Sequence, residues 1–286
     1  MKIALLMSGE CRQMWLAAPS VYKNVIEPND ADVFLYLNKE SLVPRVPIVE
    51  EEEIVNKVFS KNVKSIKFTD DYYKKELEEL YENNCLKINK VYKKINRDKW
   101  DKHIALTTTD QYLKVKKCCE TIVNYAANNN FEYDIIVRVR PDIGWFNKFN
   151  LLKQIALDTL YINYHLFENK FPYATDSLFY GSQDIMYNCC TEFLNQMYDA
   201  LEIYDERIEK DLSLAQELIL GRYLKNSGTK ITGINRPALS RYYVDWTKSP
   251  NFPLVDKFCG KVISENNSVY FDRIGEEKII IDETIK

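Results

Sequence analysis

Histidine is the scarcest reactive residue here: His103 and His165 are the only two in the chain. A serine or cysteine hydrolase with an imidazole base would have to use one of them. His103 falls in a polar helical segment and His165 at the end of a strand. In such places a histidine is ordinarily at the surface or hydrogen-bonded. The motifs that announce other chemistries are missing too. There is no GxGxxG fingerprint, no Walker-type phosphate loop, no HExxH and no GxSxG. The seven cysteines contain no CxxC pair, which removes zinc-ribbon and thioredoxin-like readings. Two adjacent pairs, Cys118-Cys119 and Cys189-Cys190, lie in helical patterns, where sequence neighbours do not face each other. Reduced thiols in a cytoplasmic protein fit that pattern. Neither sign of charge dominates: 39 basic against 42 acidic residues give a net charge of -3. With a pI near 5.7, this argues against a nucleic-acid partner. No apolar run reaches the roughly 18 residues of a membrane span. The apolar start of the chain is too short for a secretory leader. Glu10, Cys11 and Arg12 follow where a small-residue cleavage site would stand. It reads as a first strand.

What is present is enough apolar material for a large core. The chain has 286 residues, 46% of them hydrophobic, with no repeats and no linker-like composition. Strands are expected at 2–7, 33–37, 63–68 and 135–139, and helices at 13–25, with Pro28 ending the first, and from Glu50 onward. Asp70 or Asp71 is expected to cap a further helix. Residues 72–103 are dense in Lys, Glu, Tyr and Asn and read as a polar helical insertion or lid. Thr108 or Thr109 is expected to open a clearer helix that ends at Asn128-Asn129-Asn130. Its apolar stripe is Tyr112, Val115, Cys119, Ile122 and Ala126. Later come a short helix near 150–156, strands at 160–164 and 176–181, a helix capped by Ser182, and one from Leu212 to Asn226 stopped by Ser227-Gly228. Short strands close the chain, ending at Ile279-Ile280-Ile281. Alternation of strands and helices predicts an α/β architecture: a mostly parallel central sheet flanked by helices, in one domain spanning 1–286.

The stretch Tyr133–Ile143 organises this pattern. Its β-branched density predicts a buried strand, yet Arg138 and Arg140 lie two apart and point to one face. Pro141 ends the ladder and leaves Asp142 at the C-terminal mouth, where open α/β sheets bind ligands. Two same-face arginines exceed what one aspartate neutralises, and a diphosphate would supply the missing charge. The alternative is a structural Arg–Asp pair at the strand end. Ser8, Gly9 and Arg12 follow the first strand in a small-residue loop that can offer N–H groups to an anion, or can be an ordinary turn. Gln111 and Lys114 lie near the start of the helix before the central strand and can reach the same mouth; the alternative is a solvated lysine face shared with Lys117. Two carboxylates are candidate general bases. Asp176 begins an expected strand, and Glu217 sits beside an apolar helical stripe, the alternative being a helix-boundary glutamate paired with Arg222 or a lysine. Asp176 is preferred for its place near the cleft. Trp15, Trp145 and Trp246 are expected to pack in the core rather than stack on sugars.

These blocks together resemble a glycosyltransferase: Ser8-Gly9 with Arg12, Gln111 with Lys114, Arg138 to Asp142, Asp176 with Gly181-Ser182, and Glu217. The chain resembles the WavE-like and chlorovirus or giant-virus sugar transferases of GT-A fold. That resemblance implies a Rossmann-like GT-A domain, a nucleotide-sugar donor (a UDP- or GDP-sugar) and a glycan hydroxyl acceptor. It implies Mn2+ or Mg2+ held by Asp142, and a place in the cytoplasm, the host's if the chain is viral. In such enzymes a D-x-D motif ends the fourth strand. Here Arg140 stands where its first aspartate would be, so Asp142 alone remains as a direct ligand. A metal-dependent phosphoesterase and a non-catalytic nucleotide- or glycan-binding module are the competing functions.

Overall fold

A computed structural model describes residues 1–10, 14–38, 59–94, 102–145, 148–149, 151, 155–167, 171–199 and 216–234, and five strands beyond them. The first half runs β1 (Ile3–Gly9), α1 (Met14–Val21), β2 (Asp32–Leu37), β3 (Val63–Phe68), α2 (Asp71–Lys94), α3 (Lys102–Asn128), β4 (Ile135–Val139) and β5 (Ile143–Trp145). It continues with β6 (Thr159–Phe167), β7 (Phe171–Gly181), α4 (Gln183–Gln196), α5 (Gln216–Asn226) and β8 (Lys230–Gly233). The remaining strands are β9 (Leu239–Val244), β10 (Leu254–Asp256), β11 (Lys261–Glu265), β12 (Ser268–Asp272) and β13 (Ile279–Ile281). The helix expected from Glu50 lies outside the described residues.

Seven strands form the main sheet in the order β3-β2-β1-β4-β7-β6-β8. All run the same way except β7, which is antiparallel to both β4 and β6. The protein is therefore α/β, with a mostly parallel mixed sheet flanked by helices. Alternate residues of the central strands feed two cores. Ala4, Leu6, Phe34 and Ile136 face α3 and α4, while Ile3, Leu5, Met7, Val33 and Val137 face α1. Burial on both faces explains why these strands read as continuous apolar runs. A second, antiparallel sheet, β13-β12-β11-β10-β9-β5, joins the chain through the pairing of β5 with β9.

The stripe on α3 is buried throughout: Tyr112, Val115, Cys119, Ile122 and Ala126 are each at most 2% exposed. Asp70 caps α2 by accepting from the Tyr73 N–H at 2.8 Å, and Ser182 caps α4 by accepting from Ile185. Other boundaries differ from expectation. Thr108 and Thr109 do not open α3; the helix already runs at Lys102, and both threonines are buried inside it. Thr109 Oγ1 accepts from Asn84 of α2 at 3.3 Å, so packing between the two helices overrides the threonines' preference for a cap. The helical path beyond α1 passes through a π-turn (Tyr22–Ile26) into a last turn, Glu27–Asn29, that contains Pro28. Pro28 therefore does not end the helical path; the path runs one residue past it to Asn29, and Asp30 in the left-handed region closes it. Near 150–156, Leu151, Ile155 and Ala156 are described and none is helical. Among the described residues, no helix is long and apolar enough to cross a membrane.

Candidate active site at the β1–β4 switch point

Chain order reverses between β1 and β4: β2 and β3 lie on one side, β4 on the other. Open α/β sheets place their ligand crevice outside the C-terminal strand ends at such a point. A cleft of about 310 Å³ occupies that position here. Its walls include Ser8 and Gly9 at the end of β1, Arg138 in β4, Arg140, Pro141 and Asp142 just after it, Gln111 and Lys114 from α3, and Glu217 from α5. The structure thus brings together most residues singled out from the sequence. Arg12 lies outside the described residues. Trp145 is fully buried against Phe149, as expected; the side chain of Trp15 and all of Trp246 lie outside the described residues.

Local backbone needs explain several of these positions. Gly9 has φ 135°, a conformation that L side chains rarely adopt, and it turns the chain at the cleft floor. Glu217 occupies the first turn of α5, where the helix dipole favours a carboxylate. One turn later comes Gly221, where a Cβ would lie 2.2 Å from the carbonyl oxygen of Pro172 on β7. Only glycine lets α5 press this closely on β7, and that contact sets where Glu217 stands.

The charges at the mouth are unevenly paired. Arg140 forks onto Asp142, its Nε and Nη2 each donating at 2.9 Å. Its Nη1 reaches Asp176 at 3.3 Å. Burial by itself works against the Arg140 charge, but Asp142 and Asp176 outweigh it and raise its pKa above the ordinary arginine value. Arg138 is only 1% exposed and its hydrogen bonds go to backbone carbonyls: Nη1 to Val139 and Nη2 to Ser8 at 3.2 Å. Among the described residues its Nε has no partner, nor does the Ser8 hydroxyl. Burial lowers the Arg138 pKa, and Asp176 offsets this in part. Lys114 is buried and paired with Asp110, with the Tyr73 ring 5.8 Å away. Tyr73 in turn donates to the Asp110 carboxylate at 2.8 Å. Lys114 is therefore not part of a solvated face. Lys117 parts from it and pairs with Glu76 at 2.6 Å, beside a second cavity.

The two candidate bases have different surroundings. Asp176 is 3% exposed and does not line the cleft; its Oδ2 accepts from both Arg140 and Gln111. It also lies in the middle of β7 rather than at its start, because Phe171–Ala174 already pair with β6. Of the two candidates, Glu217 is the one that faces the cleft. Gly181 and Ser182 separate from Asp176 altogether. Gly181 is in register with Ile136, at the far end of β4, so these two residues serve the strand end and the α4 cap.

Glu10, Thr107, Asp110 and Gln216 also line the cleft and were not singled out from the sequence. Asp110 carried a usable signal: it lies four residues before Lys114, the spacing of a helical ion pair. A divalent ion fits this donor set poorly. Both oxygens of Asp142 sit in the Arg140 fork, and among the described residues no three His, Cys, Asp or Glu side chains gather to hold an ion. Comparison with models of known protein families and with curated proteins returns no match.

Proposed function

We propose that this chain is a glycosyltransferase of GT-A type that moves a sugar from a UDP- or GDP-sugar to a hydroxyl of a glycan. The observation that carries the proposal is Arg138: a buried guanidinium in the wall of the switch-point cleft, bonded to backbone carbonyls and with no partner for its Nε among the described residues. A buried cation is costly without a countercharge. Its neighbour Arg140 already holds the adjacent carboxylates. A diphosphate in the cleft supplies the countercharge, and its oxygens suit guanidinium forks.

Each lining residue then has a task. Ser8 and Gly9 receive the nucleotide at the end of β1, and Gln111 and Lys114 bound the diphosphate from α3. Glu217 takes the proton of the acceptor hydroxyl. The acceptor oxygen attacks the anomeric carbon, and the bond from that carbon to the diphosphate breaks. The diphosphate leaves with the electron pair, and Arg138 and Arg140 stabilise the charge that develops on it. Attack opposite the leaving group inverts the anomeric centre.

A thermal-shift screen against UDP, GDP and their sugars tests this, followed by mass spectrometry of donor and acceptor. The expected result is a nucleotide-dependent rise in Tm, since a ligand at about 100 times its Kd stabilises by about 2.7 kcal/mol. Donor hydrolysis or transfer should accompany it. No shift with any nucleotide or nucleotide sugar sinks the proposal. A non-catalytic nucleotide- or glycan-binding module is the second reading, favoured by the engagement of both Asp142 and Asp176 with Arg140. Binding with neither hydrolysis nor transfer would select it.

A further inference from the structure

We infer that the cleft holds its diphosphate without a divalent metal ion, and that Arg140, gripped by Asp142 and Asp176, is the fixed cation of the site. The inference rests on the nucleotide-sugar assignment above and adds how the anion is neutralised.

Three features converge. First, Arg140 is oriented before any ligand arrives. Nε and Nη2 lie on Asp142, and Nη1 on Asp176, which comes from a different strand. A guanidinium carries more N–H groups than these contacts use, so it can still donate to a phosphate oxygen at the cleft wall. Its geometry is set from two sides, and no reorganisation is needed when the anion binds. Second, Arg138 lies beside it and is 1% exposed, a second cation lining the same cleft, with its Nε unpartnered among the described residues. Third, the residue that would ligate an ion is taken. A divalent cation on Asp142 would have to displace the fork or share the carboxylate with it. Shared, it would lie within a few ångströms of a full positive charge, which opposes its binding. Asp176 offers no escape, because it does not line the cleft and its Oδ2 already accepts from Arg140 and Gln111.

Asp142 accordingly has a positioning role. It aims Arg140 and does not ligate a metal. The two roles predict opposite behaviour for Asp142→Asn. An asparagine still accepts from Arg140 through its side-chain oxygen, and Asp176 keeps its hold, so anion binding should survive. If Asp142 held a metal ion instead, loss of its carboxylate would abolish metal-dependent binding.

Calorimetric titration of the full chain with inorganic pyrophosphate, UDP and GDP, each in EDTA and in Mn2+, decides the matter. The expected result is binding in EDTA, with the Kd changed by less than about threefold on adding Mn2+, a difference well under 1 kcal/mol. Asp142→Asn should weaken binding by less than about tenfold, and Arg140→Gln by more than that. Arg140→Gln leaves two buried carboxylates without their cation and can unfold the protein; Arg138→Gln is then the substitute, with the same expected loss. Binding that appears only with Mn2+, or that Asp142→Asn abolishes, overturns the inference while leaving the nucleotide-sugar assignment standing. No binding of any of the three probes in either condition overturns both.

Discussion

Arg140 engages two buried carboxylates, and this leaves Glu217 as the acid group facing the cleft from α5. The consequence at residue scale is a split between two substitutions. Glu217→Gln keeps size and hydrogen bonding but removes the proposed base. It should lower kcat by about 10²–10⁴-fold, the usual range for a general base, with donor binding unchanged. Asp176→Asn should act in the other direction. It weakens the hold on Arg140, so donor affinity and Tm fall while kcat falls far less. Steady-state kinetics with binding measured separately distinguishes them; a larger kcat loss in Asp176→Asn would return the base to Asp176. The positions of Arg138, Arg140 and Asp142 at the mouth were legible in the sequence, because β-branched density and a proline define a strand and its end. The partner of Arg140 was not. Asp176 lies beside it only because β7 runs antiparallel next to β4, and nothing local to either segment encodes that register.

At the scale of elements, α5 reaches the sheet through Gly221. A methyl group there meets the Pro172 backbone at 2.2 Å, and backbone yields less readily than a side chain. Gly221→Ala should therefore cost about 1–3 kcal/mol, in the range of overpacked cores. It should also displace Glu217, which lies one turn away on the same helical face. Tm and kcat fall together, whereas a fall in Tm alone would mean that α5 does not set the position of the base. The edge strand β8 is tied differently. Lys230 at its start donates to Asp158, ahead of β6, at 3.0 Å. The lysine contact, helped by the Thr159 hydroxyl, holds the Asp158 carboxyl below its ordinary 3.8. A depressed carboxylate stabilises the fold above its unfolded pKa and loses that contribution as pH falls through the folded one. The Tm difference between wild type and Asp158→Asn should thus be small at neutral pH, because the pair is exposed. It should shrink toward zero below pH 3.8. A difference that grows on acidification would contradict the pairing. Periodicity made α3 legible through its stripe. The helix start was hidden, because packing of Thr109 against Asn84 decides it.

For the whole molecule, the alternation of strands and helices was enough to expect a mostly parallel α/β sheet, and the β1–β4 crevice follows from chain order. The reversed strand between β4 and β6 was not legible, since a short β-rich run carries no direction. Nor was the split into two sheets. All seven strands of the main sheet lie between Ile3 and Gly233, and so does every described residue lining the cleft. The second sheet touches this unit through β5, whose pairing with β9 covers Ile143, Gly144 and Trp145. Yet β5 has independent anchors. Ser20 Oγ accepts from the Trp145 N–H at 2.9 Å, and Asn24 Nδ2 donates to the Trp145 carbonyl at 2.7 Å. Asn29 holds the following segment by donating to Phe149 and accepting from Leu151. Removing β9 therefore exposes one side of β5 without releasing it from the helical segment it packs on. A chain ending at residue 238 should unfold in urea as one cooperative transition, with a smaller m-value because less surface is exposed on unfolding. It should also bind pyrophosphate within about tenfold of the full chain. Loss of cooperativity or of binding would show that the second sheet completes the site, and the cleft would then have to be sought across both sheets.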